Sequence, residues 1–266
     1  LVENYRPGVL DRLGFSVQRL HELNPRLVIL SISGFGHDGP DSDRPGYDQV
    51  AQGEAGLMSI TGEPGSPTRV GVPIADLLAG LNGLVGVLSA LHERERTGLG
   101  TVVRTSLLAA VVGSHAFQGT RWTVAGEVPA AVGNHHPSIA PYGLFRAGRD
   151  LLQITVGSPA QWQSFAPLVG IDPADPRFAD NGARVAHRDE LTGLIEDALA
   201  GSPLQDWLDA LVAASVPAGR VRTLDQVYDW EQTRSQGLLM EIEHPLLGRV
   251  TLPGSPLRFE PVDPAS

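Results

Sequence analysis

The stretch VGVPIADLLAGLNGLVGVLSALHERERTG, residues 70–98, decides the fold. A short extended run ends at Asp76, and an almost wholly apolar segment follows. From Leu77 to Leu91 the only polar side chains are Asn82 and Ser89. Charge returns at His92-Glu93-Arg94-Glu95-Arg96, and Gly98 supplies a stop. That pattern predicts a helix buried on most faces with a solvated last turn. Gly80, Gly83 and Gly86 fall three apart along one side. Each costs about 1 kcal/mol against alanine in a helix interior, so another chain segment is expected to approach closely there. Asp76 stands where an N-cap belongs, facing the positive end of the helix. Two readings follow: a structural cap, or a carboxylate kept ionised at a helix start and used as a nucleophile.

Working outward, the 266 residues suffice for one large domain or two smaller ones with real cores. The long apolar run is interrupted by Gly and Asn, and no membrane span is expected from it. The chain contains no cysteine, which excludes disulfides, thiolate metal sites and cysteine nucleophiles. Nothing requires an oxidising compartment, so the cytoplasm is expected. A net charge of −10 without a basic stripe argues against nucleic acid. Every cation is arginine, which removes Schiff-base and P-loop lysine chemistry and leaves guanidinium forks for phosphate or carboxylate. The chain opens at Leu1-Val2-Glu3-Asn4, which reads as the end of a strand and its turn, so an N-terminal segment is expected to precede it.

Along the chain, a short helix ends near Gly14, and Ser16 caps a second over roughly 17–24. Residues 27–33 form an apolar strand of the kind buried in parallel sheets. The glycine-rich turn 34–40 follows it but lacks a dinucleotide fingerprint. Residues 47–62 are partly helical, 101–105 form a strand, and 107–118 form one further helix containing His115. This strand–helix alternation is an α/β pattern. From 120 to 215 the pattern changes to a hairpin (142–146 and 151–156) and amphipathic helices at 184–200 and 204–214. The expected organisation is an α/β, Rossmann-like large domain (1–119), an inserted smaller α+β domain (120–215), and a return to the large domain (216–266). That return includes a helix at 224–237 and a closing hairpin. The proline-rich end, 253–264, reads as a linker.

Candidate chemistry is sparse. His135 and His136 are adjacent, point apart, and have no carboxylate at helical spacing, so no metal site is expected. There is no G-x-S-x-G elbow for a serine hydrolase. Arg12 is either a surface charge or an anion contact, and Tyr47 after Pro45-Gly46 either packs or faces a site.

Taken together, several stretches resemble one family. They are VENYRPGVLDRLG (2–14), NPRLVILSISGFGHDGP (24–40), PGYDQVAQGEAGLMSITG (45–62), GVPIADLLAG (71–80), LHERERTGLGTVVRTSLLAAVV (91–112), GNHHPSIAPYGLF (133–145) and VPAGRVRTLDQV (216–227). In this order and spacing the chain is similar to the class III coenzyme A transferases (CaiB/BaiF-like), which include formyl-CoA transferase and the alpha-methylacyl-CoA racemases.

The resemblance implies a CoA-transferase in which Asp76 is the catalytic aspartate. That carboxylate would carry a mixed anhydride and then an aspartyl-CoA thioester. Tyr47 and Asp48 match positions beside the reacting thioester, and Arg12 and Leu13 match a CoA-contacting position. Gly133, Asn134, His135 and His136 match a loop over the site. The substrates implied are an acyl-CoA, with succinyl-CoA or another dicarboxylic acyl-CoA suggested by that loop, and a small carboxylic acid. No tightly bound cofactor is implied, and the assembly implied is an interlocked homodimer. The racemases carry a histidine where Tyr47 stands, and a phenol is a poor base at neutral pH. Acyl transfer is therefore expected. A 2-methylacyl-CoA racemase or epimerase, and a catalytically incomplete fragment serving as an assembly module, are the alternatives.

Overall fold

The computed structural model describes residues 1–260. Its contacts divide the chain into two units, Leu1–Pro137 and Ser138–Ser266, so the division falls at 137 rather than at the expected 119.

The first unit is built on a parallel sheet of three strands in the order β1 (Val2–Glu3), β2 (Ile29–Ser33), β3 (Val102–Ser106). Leu30 pairs with Val2 on one side and Val103 on the other. Between β1 and β2 run two short helices, α1 (Val9–Arg12) and α2 (Val17–Leu23). Ser16 caps α2 as its sequence suggests, accepting from the Arg19 N–H at 3.1 Å. Between β2 and β3 lie α3 (Asp48–Glu54), a 3-10 turn (Leu57–Ile60) and the long α4 (Ile74–Thr97). Beyond β3 come α5 (Leu107–Gly113) and α6 (Ala116–Thr123). The expected single helix 107–118 is thus two. Ser114 folds its hydroxyl onto the Val111 carbonyl, and Ala116 takes a positive φ of 48°.

Small side chains let these helices close up. Ala51, Ala55, Ala75, Ala79, Ala110 and Val111 form a tight core with Leu107. The glycines of α4 divide by role. A Cβ on Gly83 would lie 2.9 Å from Leu30, and one on Gly86 would lie 2.5 Å from Val103, so the helix can rest on β2 and β3 only without them. Gly80 has nothing within 4 Å of such a Cβ and does not share that reason. Burial is also narrower than the apolar pattern suggests. Ala75, Ala79, Gly83 and Ala90 are buried, whereas Leu77, Leu81, Leu84, Val85 and Leu88 are exposed along one face. By length and apolarity α4 is able to cross a bilayer, but its small-residue stripe packs on the sheet.

The second unit holds an antiparallel sheet of β4 (Tyr142–Ala147), β5 (Asp150–Thr155) and β6 (Ala218–Arg220). Ala218–Arg220 pairs with Leu152–Ile154, so the expected return segment 216–266 begins inside the sheet of the second unit, which runs to Ser266. Helices α7 (Pro159–Phe165), α8 (Asn181–Ala186), α9 (Arg188–Leu199) and α10 (Leu204–Ala213) cover a core of Phe145, Trp162, Phe165, Phe178, Leu191 and Ile195. The expected helix 184–200 is broken at His187, and 224–237 forms α11 (Leu224–Asp229) and α12 (Glu231–Ser235). Arg184 is buried against Trp162 and donates to the carbonyls of Ala140 and Phe178. The closing hairpin is β7 (Leu239–His244) with β8 (Gly248–Pro253). Part of the proline-rich end, 261–264, lies outside the described residues.

Candidate active site

In an open parallel sheet, ligand sites form beyond the carboxyl ends of the strands, where loops diverge and helix N-termini point. All three strands of the first unit deliver residues to such a place. Asn4 to Pro7 follow β1, Ser33-Gly34 close β2, and Leu107 follows β3. Together with Arg44 to Tyr47 and Asp76 they line a cleft of about 600 Å³. The loop 44–47 reaches the strand because Gly34 and Gly46 touch backbone to backbone. A Cβ on Gly34 would stand 2.7 Å from the Cα of Gly46.

Asp76 is brought into the cleft by the first turn of α4, but it is not the cap. The helix begins at Ile74 with Pro73 as N-cap, and no side chain of its own caps it. The capping carboxylate comes from α3: Asp48 Oδ1 accepts from the Ala75 N–H at 2.8 Å. Asp48 Oδ2 accepts from Gln52 Nε2 at 2.7 Å, and Gln52 Oε1 accepts from the Val70 N–H at 2.9 Å. The Asp76 backbone N–H has no hydrogen-bond partner among the described residues. Proline at the N-cap has no N–H, so the reciprocal bond of a capping box, from this third helical residue back to the N-cap, cannot form. Asp76 is therefore left in the first turn with an uncommitted carboxylate.

Its electrostatics also differ from the simple helix-start picture. Loss of water against the cleft wall, and then the negative charge of Asp48, push the Asp76 carboxyl above the ordinary aspartate range. The residue as a whole remains exposed, so the carboxylate is reachable.

Two cations stand in the same cleft. Arg44 lies over the Phe35 ring at 4.5 Å and pairs with Glu54, while Arg6 has no ion pair among the described residues. Tyr47 is at the rim, 77% exposed. Asp48 stands behind the wall, joined to it through Ala75. Arg12 and Leu13, at the end of α1, do not line the cleft, whereas Asn4, Tyr5 and Arg6 of the same stretch do. Gly133, Asn134, His135 and His136 do not line it either. Gly133 donates to the Gly62 carbonyl at 2.9 Å, and His136 stacks on Phe117 with ring centroids 5.6 Å apart. Gln52, Arg6 and Arg44 escaped the sequence reading, although Arg6 and Arg44 flank Pro-Gly turns as Arg-Pro-Gly. No group of three His, Asp or Glu side chains among the described residues is placed to hold a metal ion.

Comparison with known proteins shows the family of the chain. The model of CoA-transferase family III matches residues 1–265. An acetyl-CoA:oxalate CoA-transferase of Acetobacter aceti is 36% identical over 99% of this chain and 67% of its own length. A succinate–glutarate CoA-transferase of Agrobacterium fabrum is 34% identical over 91% of this chain and 62% of its own. Among solved structures, a CaiB/BaiF family protein from Brucella suis superposes with a TM-score of 0.83 at 37% identity, covering 98% of this chain and 69% of that one. The mixed α/β architecture is thus that of the CaiB/BaiF proteins, and the chain spans roughly two thirds of the length of these relatives.

Proposed function

The chain belongs to CoA-transferase family III, and we propose that it moves coenzyme A from an acyl-CoA donor to a small carboxylic acid, with Asp76 as the nucleophile. The observation that carries this is the uncommitted carboxylate of Asp76 in the cleft, its capping duty discharged by Asp48. An ionised carboxylate needs no separate base to attack.

In the first step an Asp76 oxygen bonds to the thioester carbonyl carbon and the C–S bond breaks, giving a mixed anhydride and CoA thiolate. The thiolate then attacks the aspartyl carbonyl and the donor acid leaves as its carboxylate. The acceptor carboxylate attacks the resulting aspartyl-CoA thioester and expels the thiolate. That thiolate takes the acceptor acyl group, and Asp76 is regenerated. Each tetrahedral intermediate carries an oxyanion, for which the unpaired Asp76 N–H is a ready donor. Arg6 and Arg44 supply the cationic contacts that phosphates and carboxylates need. Arg12 and Leu13 extend the coenzyme contact beyond the cleft, Tyr47 flanks the thioester from the rim, and Asp48 supports the thioester site from behind the wall through Ala75. The loop Gly133 to His136 covers the intermediate against water.

No histidine among the described residues lines the cleft, which supports transfer over the His/Asp proton chemistry of the racemases. The two relatives are named for oxalate, succinate and glutarate, which supports a dicarboxylic acid, such as succinate, among the substrates. On this reading the first unit is the coenzyme-binding part of a Rossmann-like domain and the second is the smaller domain inserted into it. The protein works in the cytoplasm as an interlocked homodimer, without a tightly bound cofactor, a nucleic acid or a membrane. The test is a screen of small acids against succinyl-CoA. Wild-type protein forms the acceptor's CoA ester, and Asp76→Asn loses at least about a thousand-fold in rate. Retained activity in Asp76→Asn removes the assignment.

A further inference from the structure

We propose that Gln52 is a positioning residue for Asp76: it locks Asp48 onto the Ala75 N–H and thereby keeps the Asp76 carboxylate out of helix capping. The inference rests on Asp76 acting as the nucleophile.

Gln52 is completely buried on α3, one helical turn after Asp48. Its amide orientation is determined by its two partners. The oxygen must face the Val70 N–H and the nitrogen must face the Asp48 carboxylate. The side chain thus ties the strap leading into α4 to the carboxylate that caps α4. The full chain of contacts runs from Val70 to Gln52, Asp48 and Ala75, the last being the neighbour of Asp76.

Two carboxylates, from Asp48 and Asp76, stand at one helix start, where free N–H groups and the positive end of the dipole attract either. Asp48 is reached across 27 residues of sequence, so its hold depends on orientation rather than on local backbone geometry. With Gln52 in place, both Asp48 oxygens are engaged and its carboxylate plane is fixed. Without it, Asp48 retains a single bond and rotates about χ2. Asp76 then competes for the Ala75 N–H, and the nucleophile is drawn away from the cleft. A burial this complete is also costly for an unpaired amide, so Gln52 is not a passive filler.

The experiment uses the whole protein, with succinyl-CoA and the best acid from the screen as substrates. Gln52→Met fills the same space without polar ends. It is expected to lower kcat between about ten- and a hundred-fold, as misplacement of a reacting group does. KM for succinyl-CoA is expected to stay within about twofold, because the change acts on the attack and not on binding. Amide exchange at Ala75 accelerates in the same variant. Gln52→Glu keeps the acceptor for Val70 and, while its buried carboxyl is protonated, keeps a donor toward Asp48. Its rate relative to wild type is therefore highest at acid pH and falls as pH rises and the introduced carboxyl ionises against Asp48 and Asp76. A purely structural Gln52 gives a ratio that does not move with pH. Unchanged kcat in Gln52→Met, or a loss confined to KM, overturns the positioning role alone. Absence of CoA transfer in the wild type, over all acids tried, overturns the nucleophile reading and the positioning role with it.

Discussion

Asp48 Oδ1 accepts the Ala75 N–H at 2.8 Å, so the helix that carries the candidate nucleophile is capped by a carboxylate 27 residues away in sequence. Division of labour between two aspartates follows. One is spent on the Ala75 N–H and the Gln52 amide, and the other, Asp76, faces the cleft with its carboxyl pushed above the ordinary range.

That shift sets a pH dependence. Asp76 attacks only when ionised, so activity falls on acidification at a pH above that expected for an unperturbed aspartate, about 3.9. Burial is the larger cause and Asp48 the smaller. Asp48→Asn is therefore expected to move the acid limb of kcat downward, though not all the way to the ordinary value. A limb that stays put, or moves up, contradicts the coupling.

The same shift has a stability consequence. A carboxyl whose folded pKa is raised stabilises the fold below the unfolded pKa, and that contribution is lost as pH rises through the folded value. At neutral pH the ionised Asp76 thus works against the fold. Asp76→Asn is expected to raise the thermal midpoint at pH 7 and to lose that advantage near pH 3, read by calorimetry at both pH values.

Within α4, Gly80 and Gly83 are expected to respond in opposite directions. Gly80→Ala meets nothing within 4 Å and gains about 0.5–1 kcal/mol from helix propensity. Gly83→Ala drives a methyl against Leu30 and costs about 1–3 kcal/mol. Urea midpoints of the two variants distinguish them.

Much of this was readable from residues alone. The long helix and its stop at Gly98, the buried strand 29–33, the Ser16 cap and the 142–155 hairpin all rest on local patterns. The start of α4 was not readable. Pro73 and Asp48 together fix it, and Asp48 arrives through tertiary structure. The break between α5 and α6 was hidden for a similar reason, since His115 turns to bond the Ala55 carbonyl at 2.8 Å. The apolar run of α4 predicted burial on most faces, yet the sheet takes only the small-residue stripe. At the site, residue type left Asp76 between cap and nucleophile and the family resemblance implied the latter, while Gln52 carries no chemistry of its own and shows its role only through its partners.

In the second unit, Arg184→Met tests the buried cation. It leaves the carbonyls of Ala140 and Phe178 without a donor, at a cost of about 1–3 kcal/mol for each. Arg184→Lys recovers little, because one ammonium cannot reproduce the two-pronged guanidinium contact. Denaturant unfolding of the three proteins gives the order wild type, Lys, Met.

The most direct measurement is peptide mass spectrometry of the protein after reaction with succinyl-CoA and quenching with hydroxylamine. An aspartyl anhydride or thioester is converted to a hydroxamate, and the modification is expected on Asp76, to depend on succinyl-CoA, and to be absent from Asp48. Turnover with an unmodified Asp76, or a hydroxamate on another carboxylate, would contradict the assignment of Asp76 as the nucleophile.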